Sequence, residues 1–246
     1  MSAAERAMPD AVATLAAYVL AALWLSSVSA SGLVPLLAGL CAGALVTAAA
    51  VGSVLRRIPR FCTPADRVTL LRAVLVALCA VVAVPQLVTG RGPDLLLPVL
   101  GGIAFLLDGA DGAVARRTGT ASAAGARFDA ATDAALVLVL SVAAAVVAGP
   151  WTVAIGGMYY EFVAAGFFRP HLRAALPPSF SRKAIGAFQP LALLLALLPI
   201  PVAAAFPALA LALLTFSFTR DVVQLEARHR AGMLDAGLAR TGPTAR

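Results

Sequence analysis

Long apolar runs alternate with short polar segments along this chain. Eight runs can be traced, at about 11–29, 33–54, 68–88, 94–110, 130–149, 151–168, 186–200 and 202–219. A helix that crosses a bilayer needs roughly 20 apolar residues, with about 17–25 typical. The runs 94–110 and 186–200 are the short ones, and the first is expected to continue through 111–117 as a helix reaching into water. The turn Leu198-Pro199-Ile200-Pro201 divides the last two runs. The segment 55–66 carries Pro59 and Pro64 and reads as a linker, separating two leading helices from a six-helix remainder. The N-terminus has no basic n-region and no clear Ala-x-Ala site after the first run, so a cleavable signal is not expected.

Composition makes the same case. The chain is 61% hydrophobic and 13% charged, against about 45–50% and about 25% in soluble domains. An integral membrane protein built only of helices is the class this predicts. The formal charge of +7 sits between apolar runs, which favours anionic lipid headgroups and phosphorylated substrates over nucleic acid. The cysteines Cys41, Cys62 and Cys79 have no zinc spacing and read as small apolar filler.

Charge placement gives an orientation. With the N-terminus in the cytoplasm, eight spans put Arg6, the 56–72 arginines, Arg116, Arg117, Arg127, Arg169, Arg173, Arg182, Lys183 and everything from Arg220 onward on the cytoplasmic side. Only Arg91 falls outside. That is the bias of the positive-inside rule, and both termini are expected to be cytoplasmic. The polar tail after about 228 is expected to be poorly ordered.

The chemistry concentrates in one place. Asp108, Asp111, Asp129 and Asp133 fall within 26 residues, and ionisable residues in membrane helices are functional candidates by default. Asp108 and Asp111 share one helix face, and Asp129 and Asp133 share a face of the next helix, with Gly125 one turn earlier. Two antiparallel helices bring the pairs together. Four such carboxylates repel, and a divalent cation is the simplest compensation. Oxygen ligands favour Mg²⁺, Mn²⁺ or Ca²⁺, and two such ions can clamp a diphosphate. Arg116 can bind a phosphate oxygen, while Gly112, Ala115 and Gly125 let a nucleotide approach the backbone. The bland alternative is a set of interfacial aspartates that cap helices and pair with Arg116, Arg117 and Arg127.

All eight fixed positions of D-x2-D-G-x2-A-R-x8-G-x3-D-x3-D are present, in Asp108, Asp111, Gly112, Ala115, Arg116, Gly125, Asp129 and Asp133. This segment resembles the full signature of the CDP-alcohol phosphotransferase family. Upstream, Thr63 to Arg72 resembles the family's first core helix, which usually begins Pro-Asn-x-x-Thr-x-x-Arg. Thr69 and Arg72 keep their relative positions, Asp66 stands for the usual Asn, and Ala65 is inserted after Pro64. The resemblance implies a six-helix transmembrane core over residues 66–225, preceded by two N-terminal helices (1–55) and a cytoplasmic linker (56–65), and followed by a polar tail (226–246). It implies transfer of a phosphatidyl group from a CDP-lipid such as CDP-diacylglycerol to an alcohol, with release of CMP. Asp108, Asp111, Asp129 and Asp133 would hold two Mg²⁺ or Mn²⁺ ions, with Asp133 also the general base. Thr69, Arg72, Gly112, Ala115, Arg116 and Gly125 would contact the CDP-lipid. A homodimer in the cell membrane, with its site on the cytoplasmic side, is implied as well.

Acceptor recognition rests on weaker signals. Arg169, His171, Arg173, Arg182 and Lys183 form a second basic cluster, read either as a pocket for glycerol phosphate or inositol phosphate or as a loop obeying the positive-inside rule. Glu161, inside an apolar run, is a candidate contact for an acceptor hydroxyl. Two rival functions remain at this level. A membrane prenyltransferase also uses Mg²⁺ and a lipid diphosphate, but leaves the Gly, Ala and Arg positions unexplained. A transporter would place its carboxylates near mid-membrane, whereas these gather toward one interface.

Overall fold

The computed structural model describes residues 3–28, 32–57, 62–119, 122–169 and 179–241, with side chains described for 7–27, 32–57, 62–109, 118–119, 122–169 and 179–228. Among the described residues the structure is helical: α1 (Ala3–Val28), α2 (Leu33–Leu55), α3 (Pro64–Thr89), α4 (Leu96–Thr118), α5 (Ala123–Ala148), α6 (Val153–Phe168), α7 (Phe180–Ala196) and α8 (Ala205–Thr241), with one 3₁₀ turn at Pro150–Thr152. Each apolar run of the sequence corresponds to one of these α-helices. As expected, α4 continues past its apolar part to Thr118. Against expectation, α8 does not end near 228 but runs on to Thr241. The stretch 226–241 is rich in Ala, Arg and Leu, strong helix formers that outweigh Gly232 and Gly237, and Pro243 lies beyond it.

Five helices are long and apolar enough to cross a membrane: Ala7–Ser27, Leu33–Leu55, Pro64–Thr89, Ala123–Ala148 and Ala205–Arg228. That makes the chain a membrane protein by length and composition. Helices α6 and α7 have 16 and 17 residues, so at 1.5 Å per residue each reaches only about 25 Å of the roughly 30 Å hydrocarbon core.

Helix α3 is the axis of the fold. Thr63 caps it in a reciprocal box with Asp66, Pro64 occupies the first turn, and Gly90 ends it in the left-handed region at φ 64°. It is buried along most of its length and packs against α1, α2, α4 and α5. The α2 contact is the tightest. A Cβ at Gly39 or Gly43 would lie 2.7 Å from the carbonyl oxygen of Val81 or Ala77 respectively. The four-residue glycine spacing lets the two backbones touch, which is how helices associate where lipid removes the hydrophobic driving force. The Tyr18 hydroxyl of α1 closes this corner by donating to the Leu40 carbonyl at 2.6 Å.

Ser122 caps α5, its hydroxyl accepting from the Gly125 amide at 3.0 Å. The N-terminal turns of α3 and α5 lie side by side, since a Cβ at Gly125 would be 3.9 Å from Asp66 Oδ1. One to two turns further in, Arg72 of α3 meets Asp129 and Asp133 of α5. The two helices therefore run parallel, and α4 delivers Asp108 from the middle of its length.

Candidate active site

Arg72 is the floor of the site. Its side chain is 1% exposed. Its guanidinium lies 2.8 Å from Asp108 Oδ1 and donates to Asp129 Oδ1 at 2.6 Å and to Asp133 Oδ1. Three helices thus contribute to one charge cluster: the cation from α3, one carboxylate from α4 and two from α5. A planar guanidinium presents several N–H groups in a fixed fork, so it can serve three acceptors at once where an ammonium would be a point charge.

The carboxylates are not sealed in with it. Their side chains are 37%, 38% and 44% exposed for Asp108, Asp129 and Asp133. Buried cation below and open carboxylates above make a cup with an acidic rim. One oxygen from each aspartate lies within 4.8 Å of the others, a grouping able to hold a metal ion. The donors are all carboxylate oxygens, which suits a hard divalent ion such as Mg²⁺ or Mn²⁺. One guanidinium offsets a single charge of the three, so the cluster stays net acidic and retains attraction for a further cation.

The other candidates of the Asp motif divide between described and undescribed atoms. Asp111, Gly112, Ala115 and Arg116 follow Asp108 along α4, and their side chains lie outside the described residues. Gly125 sits at the α5 cap facing Asp66, where a side chain would also press on the Ser122 hydroxyl at 3.2 Å. Thr69 is buried one turn before Arg72, its hydroxyl donating to the Ala65 carbonyl at 3.2 Å.

The described acceptor candidates have contacts away from the cup. Among the described residues the metal-competent group is Asp108, Asp129 and Asp133, without Glu161. Glu161 is exposed on α6 and lies over Gly157 of its own helix. Arg169 pairs with Glu226 at 2.7 Å, and Arg182 with Asp221 at 3.6 Å, so α8 supplies a carboxylate to each. Lys183 is exposed. Arg173 and His171 lie outside the described residues.

Two residues acquire roles that spacing did not reveal. Asp66 accepts from the Thr63 amide and hydroxyl at 2.8 and 2.7 Å and from Arg57 at 2.8 Å. Arg57, which the sequence reading counts only among the cytoplasmic arginines, is thereby buried. The signal available in sequence was a cation nine residues before an aspartate that replaces an asparagine. Cys41, Cys62 and Cys79 are free thiols. Burial, reinforced by Asp10, pushes the Cys62 thiol up to about 12, which keeps it in the neutral form.

Residues 62–217, more than half of the chain, match the family model described as CDP-alcohol phosphatidyltransferase. No curated protein and no solved structure matches the chain. The family match takes in α3 through the first part of α8 and leaves α1 and α2 outside it.

Proposed function

The chain belongs to the CDP-alcohol phosphatidyltransferase family, a membership that makes it a transferase of phosphatidyl groups from a CDP-alcohol to an acceptor, and we propose that its donor is CDP-diacylglycerol and its acceptor a phosphorylated alcohol. The observation that carries the donor half is the convergence of Asp108, Asp129 and Asp133 over Arg72, on helices that carry every fixed position of the Asp motif.

In this reading Asp133 removes the proton from the acceptor hydroxyl. The acceptor oxygen forms its bond to the β-phosphorus of the CDP-lipid, and the bond from that phosphorus to the bridging oxygen breaks, so CMP leaves with the electron pair. Asp108, Asp111, Asp129 and Asp133 would hold the divalent ions, which neutralise the diphosphate and stabilise charge on the leaving oxygen when bound. Arg72 holds the two α5 carboxylates and Asp108 in register. Gly112, Ala115 and Gly125 leave room for the nucleotide, and Arg116 takes a phosphate oxygen. Thr69 lines the same face of α3 as Arg72.

A phosphorylated acceptor, such as glycerol phosphate or inositol phosphate, is supported by the basic residues on both sides of 170–178. Arg169, Arg173, Arg182 and Lys183 would bind its phosphate and Glu161 a hydroxyl. The arginine distribution supports a multi-pass cell-membrane protein with site and termini on the cytoplasmic side, and the family resemblance supports a homodimer. The test is purified protein with CDP-diacylglycerol and a panel of phosphorylated and neutral alcohols, read by product mass spectrometry. A phosphatidyl-alcohol phosphate together with CMP is the expected outcome. A product formed only from neutral alcohols would refute the acceptor assignment.

A further inference from the structure

The residue just before the family-matched region reaches into it. Arg57 ends the turn after α2, five positions upstream of the match. Its Nη1 donates to Asp66 Oδ2 at 2.8 Å, with the two side chains only 7% and 3% exposed. Its guanidinium carbon also lies 5.7 Å from the centroid of the Phe128 ring, within cation–π range. Asp66 belongs to the first turn of α3 and Phe128 to α5, next to Asp129. A single side chain therefore touches both helices that frame the cup. Asp66 Oδ1, on the carboxylate that Arg57 holds, faces Gly125.

A pair buried to this degree is poor evidence of stability as such, since desolvation of two charges offsets most of their attraction. What it does supply is geometry. The Asp66 carboxylate is fixed by Thr63 on one side and by Arg57 on the other, and the Arg57 guanidinium carbon lies in turn over the Phe128 ring.

We propose that Arg57 is a positioning residue that clamps the N-terminal turn of α3 to α5 and so sets where Gly125 and Asp129 meet the nucleotide. The inference rests on the CDP-lipid reading above and adds to it a residue outside the family-matched region. It ties the added N-terminal segment to nucleotide binding, because α2 is the element that delivers Arg57.

The clamp predicts a particular kinetic pattern. Arg57→Lys keeps the charge opposite Asp66 but replaces the guanidinium that lies over the Phe128 ring. Arg57→Gln/Asp66→Asn buries no unpaired charge, so it isolates geometry from simple electrostatic collapse. In protein that unfolds at the wild-type temperature, the double variant should raise the KM for CDP-diacylglycerol roughly tenfold to a hundredfold, as small misplacements of a positioned site do. Its kcat should stay nearly unchanged, and Arg57→Lys should fall between. A second readout needs no turnover: spin labels at exposed Leu71 and Ala126, with exposed Cys41 replaced by Ser, should give one narrow distance in the wild type and a broadened one in the double variant. An unchanged distance, or a wild-type KM, in the folded double variant overturns the proposal. If the wild type releases no CMP from CDP-diacylglycerol, the functional reading fails, and the label distance alone decides the clamp.

Discussion

Arg72 and Arg182 have the same side chain and opposite circumstances. Arg72 is 1% exposed and shared among three carboxylates from two helices. Arg182 is 32% exposed and lies 3.6 Å from the Asp221 carboxylate; Arg169, more exposed still, pairs with Glu226 on α8. A guanidinium buried under three acids cannot be traded away, because its loss leaves their mutual repulsion unopposed. The Arg169–Glu226 pair is the more exposed and is worth about 0–1 kcal/mol, while the buried Asp221 keeps Arg220 at 3.6 Å if Arg182 turns to a phosphate, so either arginine can exchange its contact. The first arrangement is a fixed foundation and the second an exchangeable contact. That difference is why we place the reaction at the Arg72 cup and, at most, acceptor capture at the α6–α8 edge.

The largest effect should come from the cup's rim. Asp133→Asn should lower turnover about 10²–10⁴-fold, the usual loss when a general base is removed. Its affinity for CDP-diacylglycerol should be retained, as measured by calorimetry. Turnover close to wild type would take the base role from Asp133.

Arg72→Gln attacks the foundation. The loss in stability should be about 2–3 kcal/mol, less than the about 3–5 of a fully buried pair because the three carboxylates are half in solvent. Added Mn²⁺ should recover part of it by opposing the same repulsion, which unfolding followed in detergent with and without the ion will show. A variant as stable as wild type would mean Arg72 is as exchangeable as Arg182, and the contrast would collapse.

Asp108→Ala and Asp129→Ala should each weaken Mn²⁺ binding by about 1.5–3 kcal/mol, or roughly tenfold or more. Titration of the ion is the measurement, and unchanged affinity in both would leave the rim without a metal role.

Smallest is the exchangeable edge. Arg182→Ala should raise the KM for a phosphorylated acceptor roughly tenfold, the low end for a lost charge-assisted hydrogen bond, since Arg182 must give up Asp221 to bind. The KM for CDP-diacylglycerol should not move. Equal small changes in both would reduce the 169–183 cluster to a topological signal.

The contrast between these arginines was only half legible in the chain. Spacing within a helix shows which residues share a face, so the pairing of Asp129 with Asp133 and the extension of α4 beyond its apolar part could be read directly. Contacts across helices could not. Arg72 lies 57 residues from Asp129, and nothing local in Thr69–Arg72 says that the cation faces carboxylates and not a diphosphate. Asp66 looked like a departure from a motif until Arg57 and Thr63 were found around it. The close approach of α2 to α3 was written in Gly39 and Gly43, but a glycine declares its purpose only when the opposing carbonyl is known. Span number is set by more than apolar content, which marks where a helix can sit in lipid: α6 and α7, at 16 and 17 residues, also pack on α5 and α8.

The most direct measurement is release of CMP from CDP-diacylglycerol by the purified protein in lipid nanodiscs, with and without Mn²⁺ and with a phosphorylated alcohol present. We expect CMP and a phosphatidyl product only when both ion and acceptor are added, and neither with Asp133→Asn. CMP released equally without divalent ion, or at the wild-type rate by Asp133→Asn, would contradict catalysis at the carboxylate cup above Arg72.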